Sequence, residues 1–217
     1  MVTSNPVLDV IKSRRSIRKY KPDSVSDDLI MFILEAARWA PSGENMQPWR
    51  FIVIRDPETR KKLGELAGKG SGRRFLQEFF LGDLEKRFAS IKDEEKKKYV
   101  IEKLTSGRVS AFLADAPVLI AICGDRLNSA DLPFDCAAAI ENMLLVAASL
   151  DLGACWVIAP VRDPRDEEKA RKLLEIPLNF KVISIISIGY PAESPRPRPR
   201  EPIEKLVYYE KFGLKGG

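Results

Sequence analysis

Arg14, Arg15, Ser16 and Arg18 place three arginines and a serine within five residues, directly after a short apolar helical pattern. A second basic cluster, Arg196, Arg198 and Arg200, lies near the C-terminus with prolines between its members. A phosphate ester carries about two negative charges at neutral pH, and the planar guanidinium fork pairs with its oxygens bidentately. Hydrogen bonds to a charged group contribute roughly 1.5–3 kcal/mol each, so three or four of them would anchor a phosphate. Arg14, Arg15 and Arg18 cannot all face one way on a helix. In an extended or turning segment Ser16 and Arg18 share a face while Arg15 points elsewhere. The plainer alternative is a solvated basic turn.

Between the two clusters lies Ala40-Pro41-Ser42-Gly43-Glu44-Asn45-Met46-Gln47-Pro48-Trp49. It reads as a loop between helix and strand, a common place for ligand contacts. Ser42, Asn45 and Gln47 offer neutral donors and acceptors, which suit a flat polar ring edge. Two arginine clusters and such a loop together suit a ligand with an anionic tail and a flat polar head. A flavin mononucleotide (FMN) is such a ligand. An ordinary capping loop with Trp49 in the core is the competing reading.

Other chemistries are poorly served. The chain has no histidine, which removes His-based triads and histidine metal sites. Cys123, Cys136 and Cys155 sit in apolar surroundings with no C-x-x-C pair, and are expected as buried small hydrophobes. The net charge of +5 rests on 36 basic against 31 acidic residues. No basic stripe is interleaved with aromatics, so no nucleic-acid partner is expected. No uncharged apolar run reaches the roughly 18 residues of a membrane span, and the first residues lack an apolar signal region. A cytoplasmic protein without a membrane partner is expected. Gly64-Glu-Leu-Ala-Gly68-Lys69-Gly70 looks like a phosphate-binding loop, but its spacing is one residue short and it lies in a helical pattern. No G-x-G-x-x-G follows a strand.

The elements that must position these residues alternate. Asn5-Pro6 caps a short helix ending near Ser13. Ser26 opens a second helix whose apolar residues run from Leu29 to Ala40, and Pro41 stops it. Residues 50–54 read as a strand, and Asp56-Pro57 begins another helix. Residues 69–112 are expected to be irregular, with a charged helical stretch from Glu85 to Lys103 that is either a solvated helix or a variable lid. Pro117–Cys123 reads as a buried strand, and Asp135–Leu150 as a helix buried on several sides. Gly153–Ile158 and Val182–Ile188 read as strands, and Asp163-Pro164 caps a helix between them. The tail from Tyr190 is rich in proline and arginine. It ends in Ile203–Tyr209, which has strand composition and would need a partner subunit to bury it. Such alternation gives a layered fold of helices and strands.

In order and spacing, these segments resemble the nitroreductase family of FMN-dependent oxidoreductases. The resemblance runs from R-R-S-I-R at 14–18 and A-P-S-G-E-N-M-Q-P-W at 40–49, through F-I-V-I at 51–54, A-P-V-L-I at 116–120 and A-I-E-N-M-L-L-V-A-A at 139–148. It continues with L-G-A-C-W-V at 152–157, I-G-Y-P at 188–191 and R-P-R at 198–200. It implies an α+β fold: an α/β/α sandwich with a mixed central sheet flanked by helices, in an intertwined homodimer with C-terminal tail exchange. Residues 1–217 would form a single domain, with 69–112 a lid-like insertion and 190–217 a dimerisation arm. Arg14, Arg15, Ser16 and Arg18 match the first FMN-binding motif, and Arg198 and Arg200 the C-terminal basic pair that helps hold the phosphate. Pro41, Ser42, Asn45 and Gln47 match the loop that reaches the flavin from the other subunit. Ile158 and Ala159 match the backbone segment beside the ring, where the family commonly has a glycine that this chain lacks.

The activity implied is ping-pong hydride transfer from NADH or NADPH, through FMN, to a small acceptor such as a nitroaromatic or quinone. FMN carries the chemistry, so no catalytic side chain and no metal is expected. The family also holds iodotyrosine dehalogenases, whose lid supplies Glu, Tyr and Lys. Here Glu95 and Tyr99 have a compatible spacing, but no lysine stands at the expected distance before Ala116. A flavin-consuming lyase and a non-catalytic flavin-binding protein are further alternatives; the lyase carries an acidic residue where this chain has Ser16.

Overall fold

The computed structural model describes residues 5–215. The outermost residues of the expected 1–217 domain, 1–4 and 216–217, lie outside the described residues. The helix starts follow the capping chemistry of the sequence. Asn5 accepts the Val7 N–H (2.9 Å) ahead of α1, Pro6–Ser13. Ser26 caps α2, Asp27–Arg38, and Asp56 accepts both N–H and hydroxyl of Thr59 ahead of α3, Pro57–Phe80. Each cap satisfies backbone donors that a helix leaves unpaired at its N-terminus.

Four strands, β1 Trp49–Ile54, β2 Val118–Asp125, β3 Gly153–Val157 and β4 Phe180–Gly189, form one sheet in the order β1-β2-β4-β3. All three ladders are antiparallel. The parallel character expected of a mixed sheet is confined to one bridge, Ser16 to Ala154, at the free edge of β3. The continuous apolar run of β2 has a simple cause: both faces of the strand are covered. Val118, Ile120 and Ile122 pack with α2 and with α6, Leu132–Ser149. Leu119, Ala121 and Cys123 pack with Leu63 and Ala67 of α3 and Ala170 of α7, Pro164–Leu173. Two helical layers thus sandwich the sheet, as expected. By length and apolarity α6 could span a membrane. Here Cys136, Ala139, Ile140, Met143 and Ala147 are buried in the core it shares with α2 and the sheet.

Two expectations need correction. Residues 69–112 are far from irregular. α3 continues through the glycine-rich segment to Phe80, and α4 Asp83–Arg87, α5 Glu94–Thr105 and a 3-10 turn Ala111–Asp115 follow. The glycines that weaken helix propensity here serve close packing. A Cβ on Gly64 would lie 2.8 Å from Ala114 Cβ, and one on Gly72 3.0 Å from Thr105 O. The second correction concerns Ile203–Tyr209. It pairs with no strand and instead forms the short helix α8, Ile203–Leu206. The apolar side chains of this tail, including Ile203, Leu206 and Phe212, are largely exposed.

Candidate functional site

The first basic cluster leaves α1 in an extended conformation and joins the sheet at its β3 edge. Ser16 bridges Ala154, and the Ile17 N–H donates to Ala154 O (3.1 Å). A Cβ on Gly153 would lie 2.7 Å from Ile17 Cγ2, so glycine is what allows this close approach. Past Ile17 the chain pairs with the segment leaving β4. The Lys21 N–H donates to Tyr190 O (2.8 Å), and the Ala192 N–H to Lys19 O (2.9 Å). Tyr20 locks the crossing: its buried hydroxyl donates to Ile17 O (2.6 Å) and lies 2.7 Å from Ser187 Oγ. Burial pushes the Tyr20 hydroxyl pKa well above its ordinary value.

This crossing carries the proline-rich tail back toward the first cluster. Arg14, Arg15, Ser16, Arg18, Arg196, Arg198 and Arg200 all line one cavity of about 520 Å³. Lys12 adds a further positive charge, and Glu141 of α6 is the sole carboxylate on the wall among the described residues. Alternating prolines keep the tail extended, so its arginines project without a helix or sheet to shape them. Arg15 folds onto backbone carbonyls of Lys12 (2.6 Å) and Arg14 (2.8 Å). Arg18 is held by its own N–H, which donates to Glu193 (2.6 Å), and its guanidinium lies 5.9 Å from the Phe112 ring centre. Arg14 Nε is buried with no hydrogen-bond partner, its nearest charge being Glu141 at 3.7 Å. Arg196 and Arg198 have no side-chain partner among the described residues. A buried, unsatisfied guanidinium N–H is costly. An anion such as a phosphate would satisfy it, so these residues fit the phosphate of the cofactor implied by the sequence.

A second cavity of about 320 Å³ has Cys155, Trp156 and Val157 of β3 in its wall. Arg18 reaches both cavities, and Phe112, Cys155, Ile158 and Ala159 line the second. Gly70 of α3 sits so close to residues 158–159 that a Cβ there would lie 2.1 Å from Ala159 O. Cys155 is buried, and burial raises its thiol pKa despite the opposing pull of Arg18. It therefore stays a neutral thiol rather than a nucleophile.

Pro41, Ser42, Asn45 and Gln47 line neither cavity. Their loop is nonetheless shaped with care. Glu44, Asn45 and Gln47 hold left-handed φ angles of 51°, 56° and 46°. Such angles are strained for residues other than glycine. The Gln47 N–H donates to Ser42 Oγ (3.0 Å), and the Gly43 N–H donates to Asp135 Oδ1 (3.0 Å) at the start of α6. Sequence reasoning missed Asp135, Glu141, Glu193 and Gly70. Their partners lie from 92 to 175 residues away for Asp135 and Glu193, and no local spacing signals such pairs.

Residues 11–190 match the Nitroreductase family. The chain is 32% identical over 218 residues to a Thermus thermophilus protein named NADH dehydrogenase, covering 96% of this chain and 100% of that one. It is 29% identical over 208 residues to an iodotyrosine deiodinase of Thermotoga neapolitana, covering 94% and 97% of the two chains. A solved FMN-dependent nitroreductase from Clostridium difficile has a TM-score of 0.71, with 28% identity over 94% of this chain and 99% of that one. The chain therefore belongs to the Nitroreductase family. It is an oxidoreductase of that family.

Proposed function

We propose that this protein is an FMN-dependent oxidoreductase that takes reducing equivalents from NAD(P)H and delivers them to a small acceptor such as a nitroaromatic or quinone. The observation that carries this reading is the arginine cavity, with its buried and unsatisfied Arg14 Nε. The chemistry FMN would supply when bound there is hydride transfer from the nicotinamide to the acceptor in two separate half-reactions, the ping-pong order. Arg14, Arg198 and Arg200 would hold the phosphate, with Arg15 and Ser16 shaping the backbone around it. Ile158 and Ala159 would line the ring, and Arg18 would offset negative charge at the ring edge.

The same reading includes a homodimer. Met31 and Phe32 on α2, Trp39 just after it, Val7 on α1 and the tail residues Ile203, Leu206 and Phe212 are largely exposed. An exposed apolar surface of this kind is expected to be covered by a partner. A second copy would cover it with its own tail arm, and would bring its Pro41, Ser42, Asn45 and Gln47 to the flavin. Residues 69–112 would act as a lid over the ring. Glu95 and Tyr99 both lie on α5 within this segment.

Arg198→Ala tests the phosphate assignment. Arg198 is exposed and unpartnered, so its loss should leave the fold intact. Losing one charged contact of roughly 1.5–3 kcal/mol should weaken FMN binding about 10- to 150-fold. Riboflavin, which lacks the phosphate, should bind both proteins alike. Equal weakening of FMN and riboflavin, or of neither, would overturn the assignment.

A further inference from the structure

Beside the ring-side cavity, a cleft of about 690 Å³ opens between the second half of α3 and the start of α7. Arg73, Arg74, Arg162 and Arg165 line it, with Glu78 and Asp163 as its only carboxylates among the described residues. The cleft shares Gly70, Arg74 and Arg162 with the ring-side cavity, so the two adjoin and Arg162 stands on their common wall. Its volume is in the range of small-molecule sites.

Both carboxylates are already engaged. Arg165 donates to Asp163 through Nε (3.0 Å) and Nη2 (2.8 Å), and Arg73 Nε lies 3.8 Å from it. These arginines hold the Asp163 carboxyl well below its ordinary pKa, with the Arg165 hydrogen bond as the main cause. Glu78 accepts from Arg74 Nε (2.8 Å), and Arg87 lies 3.5 Å away. Arg73 also donates to the buried Asp166 beneath the cleft. Three of the four arginines are thus fixed in place by acids. Arg162 is different: it makes no side-chain hydrogen bond or ion pair among the described residues, and it is exposed on the cleft wall.

A ribose diol is typically read by a free carboxylate, and a 2′-phosphate by an arginine. Here the acids are occupied and an arginine is free. Resting on the reading of the protein as an NAD(P)H-dependent enzyme, we propose that this cleft holds the adenylate end of the reductant and selects NADPH through contact of Arg162 with the 2′-phosphate. The nicotinamide end would then reach the adjoining ring-side cavity. Arg73, Arg74 and Arg165, already anchored, need little reordering to supply a positive field around the phosphate.

Adenosine 2′,5′-bisphosphate and 5′-AMP differ only by the 2′-phosphate, so calorimetric titration of the FMN-loaded protein with each isolates that contact. The bisphosphate should bind about tenfold or more tightly than 5′-AMP, and Arg162→Ala should remove most of this difference. In steady-state assays the same variant should lower the NADPH-to-NADH ratio of kcat/KM about tenfold. Equal or absent binding of the two nucleotides, or a preference that survives Arg162→Ala, would overturn the inference. If neither dinucleotide reduces the flavin, the proposed function fails, while the bisphosphate titration still decides the cleft. If both reduce it equally and Arg162→Ala changes nothing, the cleft assignment fails and the function stands.

Discussion

Gly68 and Gly70 stand two residues apart on α3, yet alanine at each should have effects of opposite sign. A Cβ on Gly70 would lie 2.1 Å from Ala159 O, whereas ordinary contact begins at 3.4 Å. Something must therefore move by more than 1 Å, and the atom in the way is backbone rather than a flexible side chain. Overpacking of this kind costs about 1–3 kcal/mol, against a gain of about 1 kcal/mol from replacing a helical glycine. A Cβ on Gly68 would meet Gly107 O at 3.7 Å, an ordinary contact. There only the helical gain remains. For a chain of this size each kcal/mol moves Tm by roughly 2–4 °C. Thermal melts should show Gly68→Ala a few degrees above the parent and Gly70→Ala below it. Because the displaced segment is Ile158–Ala159, Gly70→Ala should also slow flavin reduction by NAD(P)H, while Gly68→Ala should not. Two variants that shift Tm in the same direction would refute the account of why glycines occupy this helix.

Two further outcomes are expected. Asp135→Ala should cost about 1–3 kcal/mol, because it strips the acceptor from the Gly43 N–H and the Ser129 hydroxyl. Amide exchange at Gly43 should then quicken; unchanged protection there would show that Asp135 does not hold the loop. Burial pushes Cys123 and Cys136 up to about 12 from an ordinary 9.0. The folded protein keeps these protons where the unfolded chain would release them. Their contribution to stability is therefore complete below pH 9 and lost as pH rises toward about 12. Native protein at pH 8 should resist iodoacetamide at all three cysteines and react once denatured; rapid native alkylation would contradict their burial.

Much of the framework was legible because it is local. Asn5-Pro6, Ser26, Asp56-Pro57 and Asp163-Pro164 each cap the helix they signal. Pro117–Cys123 is a strand buried on both faces, as its unbroken apolar run suggests. Local signals misled where packing overrides propensity. Residues from 69 onward read as irregular, but α3 runs on to Phe80, with Gly70 and Gly72 where neighbouring backbone leaves no room for a side chain. Ile203–Tyr209 has strand composition, yet it joins neither edge of the sheet, and a single helical turn forms instead. The site divides in the same way. Both arginine clusters were visible as clusters, and the chain crossing at Tyr20 does bring them to one cavity. The acids that orient them, Glu141 and Glu193, were not visible, because their contacts join residues far apart in the chain. Pro41, Ser42, Asn45 and Gln47, read from the sequence as part of the same site, line neither arginine-bearing cavity within one chain.

The most direct test is the visible spectrum of the purified protein, first alone and then with NADPH under anaerobic conditions. The account predicts a yellow protein with one FMN per chain, bleached by the nucleotide and restored by an added quinone or nitroaromatic. A protein that stays colourless after incubation with FMN, or a yellow one that neither NADPH nor NADH bleaches, would contradict it.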